Sequence, residues 1–179
     1  MIIKISHIKC FILFMFFILL SKTTFSTEIY SPEKVLGDFY YAYLSDNGNE
    51  SELIDKYVLN NVIESVNDAS FCNYDSAESV NSGGVKGKCS EKRECKASKG
   101  DYICNWDGVW VETDVNYFTK SQDVYPSWNK YINVVPVKGN KTDVCYLVSL
   151  GKYPDPVMKL KITLVAVEHG WKISKVTRY

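Results

Sequence analysis

The chain has 179 residues, with 21 basic and 21 acidic side chains, ten glycines and five prolines. This composition is typical of one folded domain and excludes a disordered, collagenous or fibrous protein. The balanced charge also argues against nucleic-acid binding, because a nucleic-acid-binding surface needs an excess of basic side chains.

Residues 1–26 have the features of a secretory signal peptide. Two lysines precede an unbroken apolar stretch, residues 10–20, and small residues follow at Thr24 and Ser26. The apolar stretch would span about 16 Å as a helix, about half of the hydrocarbon core of a membrane. We therefore predict cleavage after Ser26 and one domain, residues 27–179, in the periplasm or outside the cell. We expect no permanent membrane insertion, the alternative being an uncleaved anchor.

Five cysteines follow this leader. Four of them cluster: Cys72, Cys89, Cys95 and Cys104. In an oxidising compartment such a cluster indicates disulfides, whereas the uneven intervals do not suit the alternative, a four-cysteine zinc site. The spacing does not decide which cysteines pair; we favour Cys89 with Cys95 and Cys72 with Cys104, which leaves Cys145 free. We expect no metal and no cofactor.

The N-terminal third has the apolar periodicity of helices. Ser31 and Pro32 are typical of a helix start, and apolar side chains recur at helical spacing over residues 35–44. Two further amphipathic sets lie at residues 53–58 and 59–66. The sequence therefore predicts two or three amphipathic helices, each with one apolar face that must pack against another element.

From Asn67 onward the periodicity is lost, and residues from about 68 to 113 contain the clustered cysteines. We predict a loop insertion here that is ordered by its disulfides. The six basic side chains between Val85 and Asp101 indicate a solvated face, or alternatively a contact surface for a partner.

The last third has the alternation of β-strands. Residues 132–137 and 142–150 predict a hairpin around Gly139-Asn140, with Pro136 on an edge strand or at a bulge. A second hairpin follows: residues 158–166 alternate between apolar and polar side chains, and a turn at His169-Gly170 would place Ala166 opposite Ile173. Helices followed by antiparallel hairpins predict an α+β domain, with N-terminal helices packed on a curved antiparallel sheet.

Three stretches resemble a bacterial family known as domain of unknown function 3828, within the nuclear-transport-factor-like (cystatin-like) cone superfamily. They are residues 35–44, residues 114–123 with Trp128, and residues 170–176. The resemblance implies a cone-like fold and a location in the cell envelope, and it implies no activity. The long cysteine-bearing segment departs from the family pattern as an insertion.

Catalytic signatures are sparse. His169 is the one histidine after the leader, and it lies at a predicted hairpin tip. No nucleophile elbow, phosphate loop or zinc-protease motif occurs in the sequence. Four acids, Asp107, Glu112, Asp114 and Asp123, lie near aromatic residues that would raise a carboxyl pKa, but Asp114 is better explained as a helix N-cap. We therefore expect a protein that is not an enzyme.

Aromatic residues are dense between Trp106 and Tyr131, and such residues concentrate at interfaces. Core packing is the alternative. The candidates for partner binding are Trp106, Trp110, Tyr125, Trp128, Lys92 and Arg93.

The leading hypothesis is a non-catalytic protein that binds a protein partner in the envelope, such as an inhibitor or an immunity protein against a toxin or a cell-wall enzyme. The alternative is a cone-fold protein that binds a small ligand or acts as a lyase or isomerase, which a deep pocket lined by buried acids or tyrosines would favour. A purely structural envelope role is the third.

Overall fold

A computed structural model of the chain describes residues 30–45, 49–73, 89, 92–98, 101–137 and 143–179. The predicted signal peptide and the Gly139-Asn140 turn lie outside these ranges. The elements with described bounds in these ranges are three helices followed by seven strands. The helices are α1 (Pro32–Leu44), α2 (Glu50–Tyr57) and α3 (Asn60–Asn73).

The start of α1 is as predicted. Ser31 has extended backbone angles, and its hydroxyl accepts a hydrogen bond from the Lys34 amide at 3.3 Å. The predicted apolar face of α1 is buried, with Leu36 and Phe39 fully enclosed. The third helix continues to Asn73, seven residues beyond Val66, where its predicted apolar set ends.

The strands form two antiparallel sheets, so the α+β prediction is confirmed, whereas the cone-like curvature stays a prediction. The small sheet has the order β1 (Cys95–Ser98), β2 (Asp101–Trp106), β3 (Val109–Glu112). The large sheet has the order β4 (Ile132–Val137), β5 (Asp143–Leu150), β6 (Met158–Val167), β7 (Gly170–Arg178). Pro136 lies on the edge strand β4, as predicted.

The main core lies between the helices and one face of the large sheet. Its fully buried side chains on the sheet are Val148, Leu150, Leu160, Ile162, Leu164 and Ile173. Two tyrosines fix α1 to its surroundings: the Tyr146 hydroxyl donates to Glu33 at 2.9 Å, and the Tyr40 hydroxyl donates to the Phe118 carbonyl at 2.9 Å. The Leu59 amide donates to the Ile173 carbonyl at 3.0 Å, which ties the start of α3 to β7.

The register of the last hairpin differs from the prediction. Ala166 pairs with Trp171, and Leu164 pairs with Ile173, because the turn is made by Glu168 and His169. Near the turn the error is two residues, so Ile173 keeps its predicted face. An irregularity between Thr163 and Leu164 then shifts the register by one residue, so that Val176 pairs with Ile162 and is buried.

The predicted loop insertion contains the small sheet. Asp107 (φ 47°) and Gly108 (φ 88°) form the two-residue turn between β2 and β3, and the Gly108 amide donates to the Asn105 side chain at 2.8 Å. An Asp-Gly pair is a strong hairpin signal that the sequence analysis did not use.

Both disulfides form among the four predicted cysteines, but the favoured pairing was wrong. The bonds join Cys72 to Cys89 and Cys95 to Cys104, and Cys145 is free as expected. Because β1 and β2 are antiparallel, Cys95 lies directly opposite Cys104, with 4.1 Å between their Cα atoms. That register leaves Cys72, near the end of α3, to pair with Cys89.

The predicted N-cap at Asp114 was also wrong. The Asn116 side chain is the acceptor instead, and it receives hydrogen bonds from the amides of Phe118 at 2.9 Å and Thr119 at 3.1 Å. Asp114 adopts a positive φ of 59°.

Candidate functional site

The two tryptophans of the small sheet point to opposite faces. Trp106 pairs with Val109, whereas Trp110 pairs with Asn105. Trp106 is buried with Val109 and Val111 on the inner face, and β2 and β3 pack against α3. Trp110 is partly buried on the outer face. The structure therefore separates these two predicted partner-binding residues.

Of the two basic residues predicted for partner binding, only Arg93 contacts Trp106. The Arg93 guanidinium lies 3.6 Å from the centroid of the Trp106 ring, a cation–π contact that covers a buried aromatic. Lys92 is exposed just before β1. The basic partner of Trp110 is Lys96, whose ammonium lies 4.1 Å from the ring centroid.

Tyr125 and Trp128 belong to the packing beneath the loop that connects β5 to β6. Trp128 is 1% exposed, and its indole N–H donates to the Pro156 carbonyl at 2.7 Å. The Tyr125 ring lies 5.5 Å from the Trp128 ring. A buried tryptophan with its polar atom satisfied offers no surface to a partner, so the candidate site is built from other residues.

The outer face of the small sheet and the end of β7 enclose a groove of about 580 Å³. We call it the cationic groove; its charged lining residues are Lys96, Glu112, Lys120, Lys175 and Arg178. Trp110, Ile103, Val176 and Tyr179 contribute apolar and aromatic surface. The groove thus contains four basic side chains and one acidic side chain. Of the residues predicted for partner binding, it includes Trp110.

Glu112 is the buried acid of the cationic groove. Its side chain is 7% exposed, and the Arg178 Nε lies 3.2 Å from each of its two carboxylate oxygens. Arg178 is 38% exposed, so the pair lies at the inner boundary of the groove. Charge-assisted hydrogen bonds of this kind are stronger than neutral ones.

Lys120 is the buried base of the groove. It is 3% exposed, has a positive φ of 52°, and holds its ammonium 4.0 Å from the centroid of the Tyr117 ring. Burial lowers the pKa of Lys120 to about 8; the nearby Glu112 carboxylate opposes this shift and the Arg178 guanidinium adds to it. Among the described residues, Lys120 has no hydrogen-bond acceptor for its ammonium group.

We expect Lys120→Met to stabilise the protein at pH 7 by about 3 kcal/mol, because the native state then no longer buries this charge. The native pKa lies below the unfolded value of 10.5, so the wild type gains stability relative to the variant as pH rises from about 8 to 10.5. Urea unfolding should show the difference falling to about 1 kcal/mol at pH 9.5. Glu112, Arg178, Tyr117 and Lys175 are the charged or titratable groups around this site.

The matched control is Lys130→Met. Lys130 is exposed and lies outside the groove, so its replacement should change stability by less than about 0.5 kcal/mol at either pH. A stability difference between wild type and Lys120→Met that does not change with pH would contradict the assignment of a depressed pKa to Lys120.

A second cavity of about 620 Å³ lies on the other side of Glu112, between α3 and residues 111–122. It is lined in part by Tyr43 and Tyr117, and burial raises the pKa of Tyr43 to about 12. The Tyr43 hydroxyl accepts from the Asn116 amide nitrogen at 2.6 Å, and the Tyr117 hydroxyl accepts from the Val176 amide at 3.3 Å. A buried acid and two tyrosines therefore line this cavity, each in contact with a protein donor.

The other candidate catalytic residues are dispersed. His169 is 79% exposed at the tip of the last hairpin, as predicted, and Cys145 contacts Thr163 in the middle of the large sheet. Asp107 is in a turn and Asp123 is exposed. Among the described residues, no group of three or more His, Cys, Asp or Glu side chains is placed to hold a metal ion. No helix in the described ranges is long and apolar enough to cross a membrane.

The fold of this chain is similar, over most of its length, to that of a solved structure. The chain is similar to a chain in the crystal structure of the type VI native effector-immunity complex Tae3-Tai3 from Ralstonia pickettii, with a TM-score of 0.52 and 19% identity. The match covers 83% of this chain and 94% of that chain. The SeMet form of the complex gives a TM-score of 0.49, again at 19% identity, and covers 83% and 96%. The first of these establishes a similarity of fold.

No protein-family model matches the chain, and no curated protein matches it. The resemblance to the domain of unknown function 3828 family stays a prediction.

Proposed function

We propose that this protein is exported and acts, without catalysis, as an immunity protein or inhibitor that binds an envelope-acting toxin or cell-wall enzyme. The observation that carries the proposal is the fold likeness to a chain of an effector-immunity complex, which covers 94% of that chain. Two disulfides add support, because such bonds persist in oxidising compartments outside the cytoplasm.

A complex of this kind contains an effector as well as an immunity protein. The positions of the candidate nucleophile and base in this chain favour the immunity role. A thiol or hydroxyl nucleophile needs a base within hydrogen-bonding distance. Here His169 pairs loosely with Glu168 at an exposed tip, at 4.0 Å, while the Cys145 sulfur lies beside the Thr163 hydroxyl at 3.6 Å. Neither side chain lines the cationic groove or the second cavity.

The test begins with capture of partners from the envelope fraction of the native host, followed by purification of any captured cell-wall hydrolase. We expect the purified protein to abolish that hydrolase activity at one equivalent, because an immunity protein acts by stoichiometric binding. The protein alone should release no fragments from purified cell wall. Release of fragments by the protein alone, or full hydrolase activity at excess protein, would overturn the proposal.

The second cavity favours one alternative function, the binding of a small ligand. Its volume is within the usual range for ligand pockets, and it is lined by Glu112, Tyr43 and Tyr117. Under this alternative, native protein purified from its host would carry a small molecule detectable by mass spectrometry after denaturation, and Tyr43→Phe would reduce its retention.

A further inference from the structure

The cationic groove has a local charge that the whole chain does not share. The complete sequence is balanced in charge, yet the groove is lined by four basic side chains against Glu112 alone. Glu112 is already engaged by Arg178, and the Lys96 ammonium pairs with Glu94 at 3.3 Å. Among the described residues, the ammonium groups of Lys120 and Lys175 have no carboxylate within ion-pairing distance. A concave surface lined by one sign of charge concentrates ligands of the other sign.

Lys120 supplies an independent indication of a ligand. Burying an ammonium group is costly unless hydrogen bonds replace its hydration. This side chain is 97% buried, lines the groove, and holds its ammonium 4.0 Å from the centroid of the Tyr117 ring. A carboxylate entering the groove would accept hydrogen bonds from this ammonium and would also lie close to Arg178.

The walls of the groove favour a peptide over a free anion. Trp110 and Ile103 line one side and Tyr179 the other, and a small inorganic anion would leave this apolar surface uncovered. A volume of about 580 Å³ accommodates several side chains. Nucleic acid is disfavoured because the chain has as many acidic as basic side chains, whereas nucleic-acid binding needs a basic excess.

We propose that the cationic groove binds an acidic peptide segment of the protein partner, with one carboxylate accepting hydrogen bonds from Lys120 and Arg178 and the flanking side chains packing on Trp110. This inference rests on the proposed function, and it specifies the chemistry of the partner and the place where the partner binds.

The test uses the processed full chain and a ten-residue amidated peptide in which glutamate alternates with glycine. The control peptide has glutamine in place of glutamate, and inorganic phosphate is titrated in parallel. We expect the glutamate peptide to bind at least tenfold more tightly than either control by calorimetry. Equal binding of the two peptides, or binding of phosphate as tight as that of the glutamate peptide, would overturn the proposal.

Two charge reversals localise the binding. Lys175→Glu in the groove should weaken glutamate-peptide binding at least tenfold, whereas Lys130→Glu outside the groove makes the same change in net charge and should leave binding within twofold. Both positions are exposed, so both variants should keep the wild-type circular dichroism spectrum. Equal weakening by the two reversals would mean that only overall charge matters, and the groove assignment would be wrong.

The peptide experiment separates this inference from the proposed function, because it needs no identified partner. If a hydrolase is captured and inhibited while the glutamate peptide fails to bind, the immunity role stands and the groove is rejected. If the peptide binds and the captured hydrolase keeps its activity, the groove stands and the immunity role is rejected.

Discussion

Glu112→Gln should destabilise the protein by about 3 kcal/mol, because it leaves two basic side chains next to one another without a counter-charge. Lys120 is almost fully buried and Arg178 is partly exposed, so the cost lies at the lower end of the range for breaking a buried ion pair. Glutamine keeps the shape of the side chain, which isolates the effect of charge. Urea unfolding at pH 7 measures the change in the free energy of unfolding.

A double-mutant cycle identifies the source of this cost. Adding Lys120→Met to Glu112→Gln should recover more than the roughly 3 kcal/mol that Lys120→Met contributes in the wild type, because the ammonium that has lost its counter-charge is then removed. The surface control is Glu168→Gln, whose side chain is 89% exposed, and it should change stability by less than about 0.5 kcal/mol. Strict additivity in the cycle would show that Lys120 and Glu112 do not interact.

Gly151→Ala should destabilise the protein by about 3 kcal/mol or more. Gly151 has a φ of 94°, and an added Cβ would lie 2.5 Å from Trp128 Cδ1 and 3.0 Å from the Pro156 carbonyl oxygen. The strained backbone and the forced displacement of a packed indole both contribute. A loss of several degrees in the melting temperature, with altered near-ultraviolet circular dichroism from Trp128, is the expected result.

Gly37→Ala is the matched control for this substitution. Gly37 lies in α1 with no heavy atom within 4 Å of its added Cβ, so alanine should stabilise the helix by about 0.5–1 kcal/mol. If both substitutions changed stability by the same amount and in the same direction, the steric account of Gly151 would be refuted.

The elements with a regular apolar period could be predicted from the sequence. The face of α1 and the alternation in β6 were correct because each buries one continuous side, at Leu36 and Phe39 in the helix and at Leu160 and Ile162 in the strand. The small sheet was missed because its strands have four to six residues and one of its faces carries the charged groove.

The groove itself could not be predicted, because its parts are distant in sequence. Glu112 and Arg178 are separated by 66 positions, and only the packing of β7 beside β3 brings them together. Nothing in the local sequence distinguishes Lys120 from an exposed lysine. The density of aromatic residues led to the prediction that Trp106 and Trp128 bind a partner, but both side chains are buried in the core.

The two borders of the large sheet resist the addition of a further strand. On β4, Pro136 lacks the amide proton that a neighbouring strand would require. On β7, the Ile173 carbonyl is occupied by Leu59 and the Val176 amide by the Tyr117 hydroxyl. Polymerisation through the backbone of these two borders is therefore discouraged, and a molecule that meets the large sheet at either border is recognised mainly through side chains.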